Sequence, residues 1–201
     1  MTETATQPIV VEMDGRHRRR AANRDAVIQA VIELFEEGTA APTVAEVADR
    51  AGISQRSVFR YFDDVDALMR AAIDEKFKEA TPIGMLPAIL PSTVVERVEL
   101  LVDTRAELFE FLGATARMVR ARQFDTPLIA ETLARGRELL RRQVRFLFSA
   151  ELDGEPDGVL AALDLLLSFE SWDLLREDQG LDVAAARGVL TTGAVRLLGA
   201  G

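Results

Sequence analysis

Apolar residues recur every three or four positions along most of this chain, and that spacing is the period of an α-helix. Val27, Val31, Leu34 and Phe35 form one such stripe near the N-terminus. No segment alternates with a period of two for long, and no internal repeat of about 20–50 residues is visible. The pattern therefore predicts an all-α fold of about nine helices.

A proline-rich segment divides the chain into two parts. Pro82, Pro87 and Pro91 lie among apolar residues, and prolines so close together exclude a helix interior. The apolar content of the segment predicts that it packs against the protein, so we place a domain joint there. We expect a disordered leader over 1–15, a small helical domain with a basic arm over 16–62, a connecting helix over 63–80 and a larger helical domain over 81–201.

Capping residues and helix breakers predict where the helices of the larger domain begin and end. Ser92 is placed to open a long helix, and Pro127 suits the first turn of another. We expect the long helix from Ser92, a shorter one over 114–122, and further helices over 127–150, 158–178 and 182–198.

The composition argues against an enzyme. There is no cysteine, so a disulfide framework and a thiolate metal site are excluded. The single histidine, His17, lies in a charged N-terminal stretch, and no glycine-rich phosphate loop follows a strand. We therefore expect no catalytic residues, no metal and no cofactor. No apolar run reaches the length of a membrane span, and no signal-peptide pattern is present, so we expect a cytoplasmic protein.

Positive charge is concentrated in two short segments of an acidic chain. The net charge of −9 by itself argues against a nucleic-acid partner. However, residues 16–24 contain five arginines and no acid, and residues 50–60 contain three arginines and no acid. A local basic surface on an acidic body is consistent with a small end that contacts a polyanion. The alternative left open by charge alone is a solvated basic tail.

The stretch from Thr43 to Leu68 has the spacing of a helix-turn-helix. Ala48 is small enough for a second helix to cross closely, and Gly52 allows a tight turn between the helices. Ile53 and Val58 are placed to fill the angle between them. A helix that starts at Ser54 and runs to about Tyr61 would then face the major groove of DNA.

This stretch resembles the DNA-binding domain of the tetracycline-repressor (TetR) family, whose pattern includes an A-G-[VI]-S turn and an aromatic tail. The resemblance covers residues 23–80, and beyond them only size and helicity are similar. The matching positions are Thr43, Val47, Ala48, Ala51, Gly52, Ile53, Ser54, Ser57, Val58, Tyr61, Phe62, Asp66 and Leu68.

The resemblance implies a homodimeric, ligand-responsive transcriptional regulator, in particular a repressor that a small-molecule effector releases from a palindromic or near-palindromic DNA operator. It implies that the larger domain binds the ligand and forms the dimer. The alternative left open is an architectural or constitutive DNA-binding dimer without a ligand.

Two positions depart from the family pattern. Phe59 replaces the usual tyrosine of the aromatic tail, and Val65 replaces the usual lysine at the start of the fourth helix. Both changes remove a group that could contact phosphate. A flexible basic arm ahead of the first helix could supply such contacts instead. The DNA-binding candidates are Arg18, Arg19, Arg20, Arg24, Thr43, Ser54, Gln55, Arg56, Ser57, Arg60 and Tyr61.

In the larger domain, Arg105 and Glu170 interrupt stripes that are otherwise apolar. An ion on such a face must be paired or reach water. Arg105 could snorkel, the two could form a structural pair, or one or both could line a ligand cavity. The cavity candidates are Met85, Arg105, Phe109, Met118, Phe146, Phe169, Glu170 and Trp172.

The last two expected helices are apolar on more than one face. A helix with two apolar faces needs two partners, which fits burial against the core and against a second subunit. The dimer-interface candidates are Leu166, Leu190, Ala194 and Leu197.

Overall fold

The structure of the chain is a computed structural model that describes residues 10–39, 41–124, 127–154 and 157–200. These residues contain nine α-helices and no strand, which confirms the all-α expectation. The helices are α1 (Val10–Glu36), α2 (Val44–Arg50), α3 (Gln55–Val58), α4 (Val65–Ala80), α5 (Val94–Ala121), α6 (Pro127–Leu147), α7 (Asp157–Leu166), α8 (Phe169–Asp173), which continues as a π-helical turn over Leu174–Asp178, and α9 (Val183–Leu197).

The chain forms two units, and the boundary between them lies in the last turn of α4, between Lys76 and Phe77. We call them the N-terminal unit and the C-terminal unit. Helix α4 therefore contributes residues to both units, because its last four residues belong to the second.

Helix α1 begins much earlier than the sequence analysis expected. It starts at Val10, inside the segment expected to be a disordered leader, and it includes Arg18, Arg19 and Arg20. The basic arm is thus helical in this part of the chain, which corrects the expectation of a flexible arm. Residues 10–36 contain no proline, and the alanines and arginines that precede the buried part favour a helix. The leader residues 1–9 lie outside the described part of the chain.

The N-terminal unit has its own apolar core. Val27, Val31 and Phe35 of α1 are buried, together with side chains of α2, α3 and α4. At the edge of this core, the buried Lys76 ammonium donates to Glu36 Oε1 at 2.8 Å and so joins α4 to α1. These contacts hold α1, α2, α3 and most of α4 together in the N-terminal unit.

Helix α5 joins two segments that the sequence analysis separated. Thr93, and not Ser92, caps it: the Thr93 hydroxyl accepts from Glu96 N at 3.2 Å while the Glu96 carboxylate accepts from Thr93 N. The helix bends at Gly113, where the backbone leaves the helical conformation. The boundary expected near residue 113 is therefore a kink inside one long helix.

The segment 158–178, expected as one helix, is divided into two. Leu167 and Ser168 separate α7 from α8, and the Ser168 hydroxyl accepts from Ser171 N at 3.2 Å, which caps α8. The same hydroxyl donates to Leu165 O at 2.7 Å. A serine placed between apolar residues thus ends one helix and starts the next.

The C-terminal core uses the face of α9 that the sequence analysis assigned to a dimer. Leu190 and Ala194 are completely buried within one chain, as part of the core formed by α5, α7, α8 and α9. Leu166 also packs inside the chain, because a Cβ added at Gly193 would lie 2.8 Å from its Cδ2 atom. These three residues therefore stabilise the subunit itself, and of the four candidates only Leu197 is exposed.

A buried arginine joins three helices of the C-terminal unit. Arg105 of α5 is 1% exposed, and its guanidinium donates to the carbonyl of Leu140 on α6 at 2.7 Å and to that of Leu167 after α7. Burial lowers the pKa of Arg105 to about 10, against the opposing effect of Asp164, so the group stays charged at neutral pH. Arg105 is not bonded to Glu170, which corrects the proposed structural pair.

We predict that Arg105→Met lowers the free energy of unfolding by about 2–4 kcal/mol, because two buried carbonyl oxygens lose their donors. Urea denaturation at fixed protein concentration measures the change. Arg142→Met, on the exposed side of α6, should change stability by less than about 0.5 kcal/mol.

The double variant Arg105→Met/Glu170→Gln separates this account from the ion pair. If the two residues formed a pair, Glu170→Gln would recover much of the loss caused by Arg105→Met. We expect no such recovery, and a substantial one would contradict the carbonyl-bridging role of Arg105.

Candidate nucleic-acid interface and internal cavity

Helix α2 of the N-terminal unit starts with a complete capping box. The Thr43 hydroxyl accepts from Glu46 N at 3.2 Å, and the Glu46 carboxylate accepts from Thr43 N at 2.7 Å. The Thr43 hydroxyl also donates to that carboxylate at 2.7 Å. Its hydrogen-bonding capacity is used largely to fix the first turn of α2.

A tight turn sets the angle between α2 and α3. Gly52 has a φ of +66°, a conformation that a side chain would strain, and Ile53 N donates to Ala48 O at 3.0 Å. Ala48 and Val58 are both buried between the two helices. The small, glycine and β-branched residues of the sequence motif therefore have the positions that a helix-turn-helix requires.

Helix α3 is short and is held by its own cap. The Ser54 hydroxyl accepts from Ser57 N at 3.2 Å, and its oxygen lies 3.0 Å from the Ser57 hydroxyl. The α-helix covers Gln55–Val58, and tighter i→i+3 bonds continue the turn to Tyr61. The helix expected to run to about Tyr61 therefore has a shorter regular part.

One side of α3 is exposed and basic. Gln55, Arg56 and Arg60 are exposed, and Phe59 is 52% exposed where a tyrosine would be usual. Arg56, Ser57, Phe59 and Arg60 line a shallow depression on this side. An apolar ring between two guanidinium groups can contact a base edge or a thymine methyl group but cannot donate to phosphate.

Tyr61 joins α1 to the end of α3. Its hydroxyl accepts from Asn23 Nδ2 at 3.3 Å and from Arg60 Nη2 at 2.8 Å. The hydrogen bonds from Asn23 and Arg60, together with the charge of Arg20, lower the pKa of Tyr61. Because both bonds are accepted, the hydroxyl proton remains available to donate to an anion.

The helical form of the basic arm decides which arginines share a face. Arg20 and Arg24 are one turn apart, and the Arg24 guanidinium lies over the Phe62 ring, 5.1 Å from its centroid. Arg18 is two residues before Arg20 and therefore projects about 200° away around α1. Arg20 and Arg24 thus belong with Arg60 and Tyr61 on one surface, whereas Arg18 faces another direction.

Other charged residues near α3 form hydrogen bonds within the N-terminal unit and so stabilise its fold. Arg50 donates to Glu37 at 2.7 Å and to Glu33 at 3.2 Å, both on the α1 side of the unit. Asp64 caps α4, because its carboxylate accepts from Ala67 N at 2.6 Å. We call the exposed group formed by Arg20, Arg24, Arg56, Arg60 and Tyr61 the basic surface.

The C-terminal unit contains an apolar cavity of about 370 Å³. Its walls come from the end of α4, the proline-rich joint, α5, α6 and the start of α8. The Gln143 amide donates to Gly84 O at 2.7 Å and so attaches the joint to α6 beside the cavity. The lining residues are Phe77, Ala80, Thr81, Gly84, Met85, Leu86, Leu108, Phe109, Leu112, Ala116, Arg120, Leu133, Gly136, Arg137, Leu139, Leu140, Gln143 and Phe169.

Three of the eight cavity candidates lie in these walls. Met85 lines the cavity from the joint, and Phe109 and Phe169 meet edge-to-face with their ring centroids 5.5 Å apart. Both rings are also buried members of the core of the C-terminal unit.

The other candidates are placed elsewhere. Phe146 is 66% exposed, because it is two positions from the buried Val144 and so points away from the core face of α6. Met118 is buried outside the cavity wall, and Trp172 is buried with its Nε1 donating to Glu110 at 2.9 Å. These three residues correct the predicted lining.

Arg105 and Glu170 line a neighbouring cleft of about 300 Å³. Glu170 Oε1 accepts from Arg137 Nη2 at 2.7 Å and from Arg120 Nε at 2.9 Å. Burial of the Glu170 carboxyl raises its pKa, but the hydrogen bonds from Arg137 and Arg120 outweigh burial and lower the pKa to about 2. The Arg120 guanidinium also lies 4.1 Å from the centroid of the Phe169 ring.

Comparison with known proteins identifies the N-terminal unit. Residues 27–72 match the sequence profile of the bacterial regulatory proteins of the tetR family. Residues 27–72 therefore form a helix-turn-helix domain of the tetR type. A tetR-type helix-turn-helix domain with an exposed basic surface is typical of DNA-binding transcriptional regulators.

A solved structure from Clostridium perfringens has a similar fold. It is a candidate fatty acid metabolism regulator with a TM-score of 0.62 and 17% sequence identity, over 88% of this chain and 98% of that chain. At this level of identity the similarity concerns the fold alone. No curated protein sequence matches this chain significantly.

Several residues of the cavity wall were not predicted from the sequence, although a signal for them exists. Leu108, Leu112, Ala116 and Arg120 follow one another at intervals of four on α5 and all line the cavity. Gly136 is the smallest residue of α6 and opens space there, since a Cβ added to it would meet no atom within 4 Å. An apolar stripe on one helix that ends in an arginine, together with a glycine inside the next helix, indicates a cavity wall.

The described residues of this protein contain no group of three or more His, Asp or Glu side chains arranged to hold a metal ion. In the same part of the chain, no helix has the length and apolarity needed to cross a bilayer.

We predict that Glu170 contributes to the decline of stability in acid. Its folded-state pKa of about 2 lies below its ordinary value of 4.5, so its contribution is present above pH 4.5 and declines as the pH falls towards 2. Glu170→Gln should flatten the fall in unfolding free energy over this interval, measured by urea denaturation at several pH values. Glu99→Gln, exposed on α5, should leave the profile unchanged; equal profiles for wild type and Glu170→Gln would refute the prediction.

Proposed function

We propose that this protein is a TetR-family repressor that binds a palindromic operator as a homodimer and is released by a small molecule. The observation that carries the proposal is the combination of the basic surface in one unit with an apolar cavity in the other. We assign DNA contact to 16–62, the connection to 63–80, and ligand binding and dimerisation to 81–201. The protein would act in the cytoplasm, where its DNA lies.

The exposed residues of α3 are suited to reading bases, and the surrounding arginines to contacting phosphate. Arg56 and Gln55 are exposed on a short helix fixed by the Ser54 cap, so their direction is determined by the turn. Arg20, Arg24 and the Tyr61 hydroxyl offer donors beside that helix, which is the arrangement expected for backbone positioning. These donors would bind the phosphate groups that the apolar side chains of Phe59 and Val65 cannot reach by hydrogen bonding.

Helix α4 provides a direct connection from the cavity to the DNA-binding unit. Phe77 and Ala80 line the cavity, whereas Leu68, Met69 and Ala72 of the same helix belong to the N-terminal core. A ligand that shifts the last turn of α4 would therefore change the position of the whole helix. It weakens DNA binding only if it binds the shifted state more tightly.

The exposed faces of α7 and α9 support a revised dimer interface. On α7, Leu165 is 70% exposed and Ala161 is exposed one turn away. On α9, which packs against α7, Val189 is 45% exposed and Ala185 and Thr192 share its face. These apolar and small residues are uncovered in the single subunit, and a second copy packed on them would bury them.

We predict that Arg56→Ala lowers the affinity for the operator by about 1–3 kcal/mol, because the variant removes one base contact. Arg20→Ala should weaken binding to all sequences alike and reduce the slope of log K against log salt by about one. The operator is first obtained by selection from a random duplex library, and affinities are then measured by fluorescence anisotropy.

Arg18→Ala is the matched control, since it removes the same charge from another face of α1. If Arg18→Ala lowered the affinity for DNA as much as Arg20→Ala does, net charge, and not the basic surface, would determine the affinity. If Arg56→Ala bound the operator as tightly as the wild type, α3 would not be the helix that binds in the major groove.

We predict that Val189→Arg converts the dimer to a monomer, because an unpaired charge in an apolar interface costs several kcal/mol. Sedimentation equilibrium measures the mass, and circular dichroism checks the fold. Phe146→Arg, an equally drastic change on the exposed side of α6, should leave the dimer intact.

Leu190→Arg tests whether Leu190 belongs to the core of its own subunit or to the dimer interface. Because Leu190 is completely buried in its own subunit, this variant should unfold the protein and not merely dissociate it. A folded, monomeric Leu190→Arg together with a dimeric Val189→Arg would restore the original interface.

A further inference from the structure

The apolar cavity and the neighbouring cleft share one wall. Arg120, Arg137, Leu140 and Phe169 line both the cavity of about 370 Å³ and the cleft of about 300 Å³. The side chains that surround the cavity are mostly apolar, whereas six of the eleven residues that line the cleft are charged. A molecule that occupied both spaces would therefore need an apolar part and a polar part.

The cleft carries an excess of positive charge. Its lining contains Arg105, Arg120, Arg137 and Arg141 but only the two carboxylates of Asp164 and Glu170, which leaves two positive charges in excess. Glu170 accepts from both Arg120 and Arg137, and Asp164 lies 3.8 Å from Arg141.

Arg120, Arg137 and Arg141 each form a salt bridge with a cleft carboxylate, whereas Arg105 forms none with a described residue. It is 1% exposed, it donates only to main-chain carbonyl groups, and within the described part of the chain its Nε has no acceptor. A buried guanidinium beside a cleft, with no carboxylate to balance its charge, is stabilised by an anion that enters the cleft.

We propose that the effector is an amphipathic anion, with an unbranched apolar chain in the cavity and a carboxylate or phosphate group in the cleft among the four arginines. This inference rests on the proposed function, because it names the class of molecule that the cavity of the regulator binds.

Glu170 occupies the place that the ligand's anionic group takes. Its carboxylate already joins Arg137, which is 48% exposed, to Arg120, which is stacked on Phe169. The more mobile Arg137 can turn towards an incoming anion while Arg120 stays on the ring. Glu170 thus competes with the ligand, and its charge lowers the affinity of the cleft for anions.

The competing possibility is a neutral apolar ligand held by the cavity alone. A neutral molecule gains the burial of its chain but leaves the excess charge of the cleft unchanged. An anion of the same chain length gains charge-assisted hydrogen bonds in addition, so the two classes differ in affinity and not only in location.

Isothermal titration calorimetry on the whole 201-residue chain tests the proposal with three probes of equal chain length: sodium decanoate, decyl phosphate and 1-decanol. We expect at least one anion to bind about tenfold or more tightly than the alcohol, as charge-assisted hydrogen bonds require. The tighter of the two anions shows whether the site is built for a carboxylate or a phosphate. Equal affinities for all three probes would overturn the proposal.

Two variants of opposite charge should act in opposite directions. Arg137→Gln should weaken binding of the preferred anion about tenfold and leave 1-decanol unchanged, whereas Glu170→Gln should strengthen anion binding. Arg142→Gln and Glu138→Gln are matched controls, because these two residues form an exposed pair with each other on α6. If the controls change anion affinity as much as the cleft variants, the binding reflects general surface charge and the proposal fails.

Filling the cavity tests the location of the chain. Gly136→Phe adds a ring where a Cβ would meet no atom within 4 Å, so it should fold and weaken all three probes. Undiminished binding would place the apolar chain elsewhere and overturn the proposal.

Operator affinity measured on the same preparation separates this inference from the proposed function. A protein that binds operator DNA but prefers no anion would overturn the inference alone. A protein that binds the anions but no operator would overturn the proposed function and leave the site standing.

Discussion

The C-terminal unit depends on the buried guanidinium of Arg105. One planar group satisfies the carbonyls of Leu140 and Leu167, so it fixes where α6 passes α5 and where α7 ends. The chain then restarts at the Ser168 cap, which brings Phe169 and Glu170 to the border of the cavity and the cleft. The cost of burying a charge is offset by these bonds, and the remaining uncompensated charge creates the preference for an anion.

Polar caps determine the geometry of the N-terminal unit in a similar way. Thr43 and Ser54 each fix the first turn of a helix, and Gly52 sets the angle between those helices. These short helices have too few residues to be stable alone. The caps and the buried Val58 therefore set the direction of these helices. The direction of the helices in turn sets where the exposed arginines point.

Much of this architecture could be predicted from the sequence, because helix period, glycine turns and caps are local signals. The number of helices was right through two compensating differences: Gly113 bends a helix without ending it, and Ser168 ends a helix although the apolar pattern continues past it. Whether a polar residue inside an apolar pattern caps, bends or snorkels depends on its tertiary neighbours, which sequence spacing alone does not contain.

The side-chain assignments failed where burial had to be attributed to a particular partner. Leu190 was recognised as buried, but its partner is the core of its own subunit and not a second copy. Arg105 and Glu170 were recognised as charges on inner faces, yet each has other partners. A stripe on a helix specifies that a face is covered, and only the packing specifies what covers it.

The proposed function requires the cavity and the basic surface to be coupled. Thermodynamic linkage requires the coupling to be reciprocal, so operator DNA must weaken ligand binding by the factor by which the ligand weakens DNA binding. Titrating the preferred anionic probe into the free protein and into its saturated operator complex measures this directly. The account predicts an affinity lower in the complex, by about 5-fold to 150-fold for typical couplings. Equal affinity in the two titrations would contradict it.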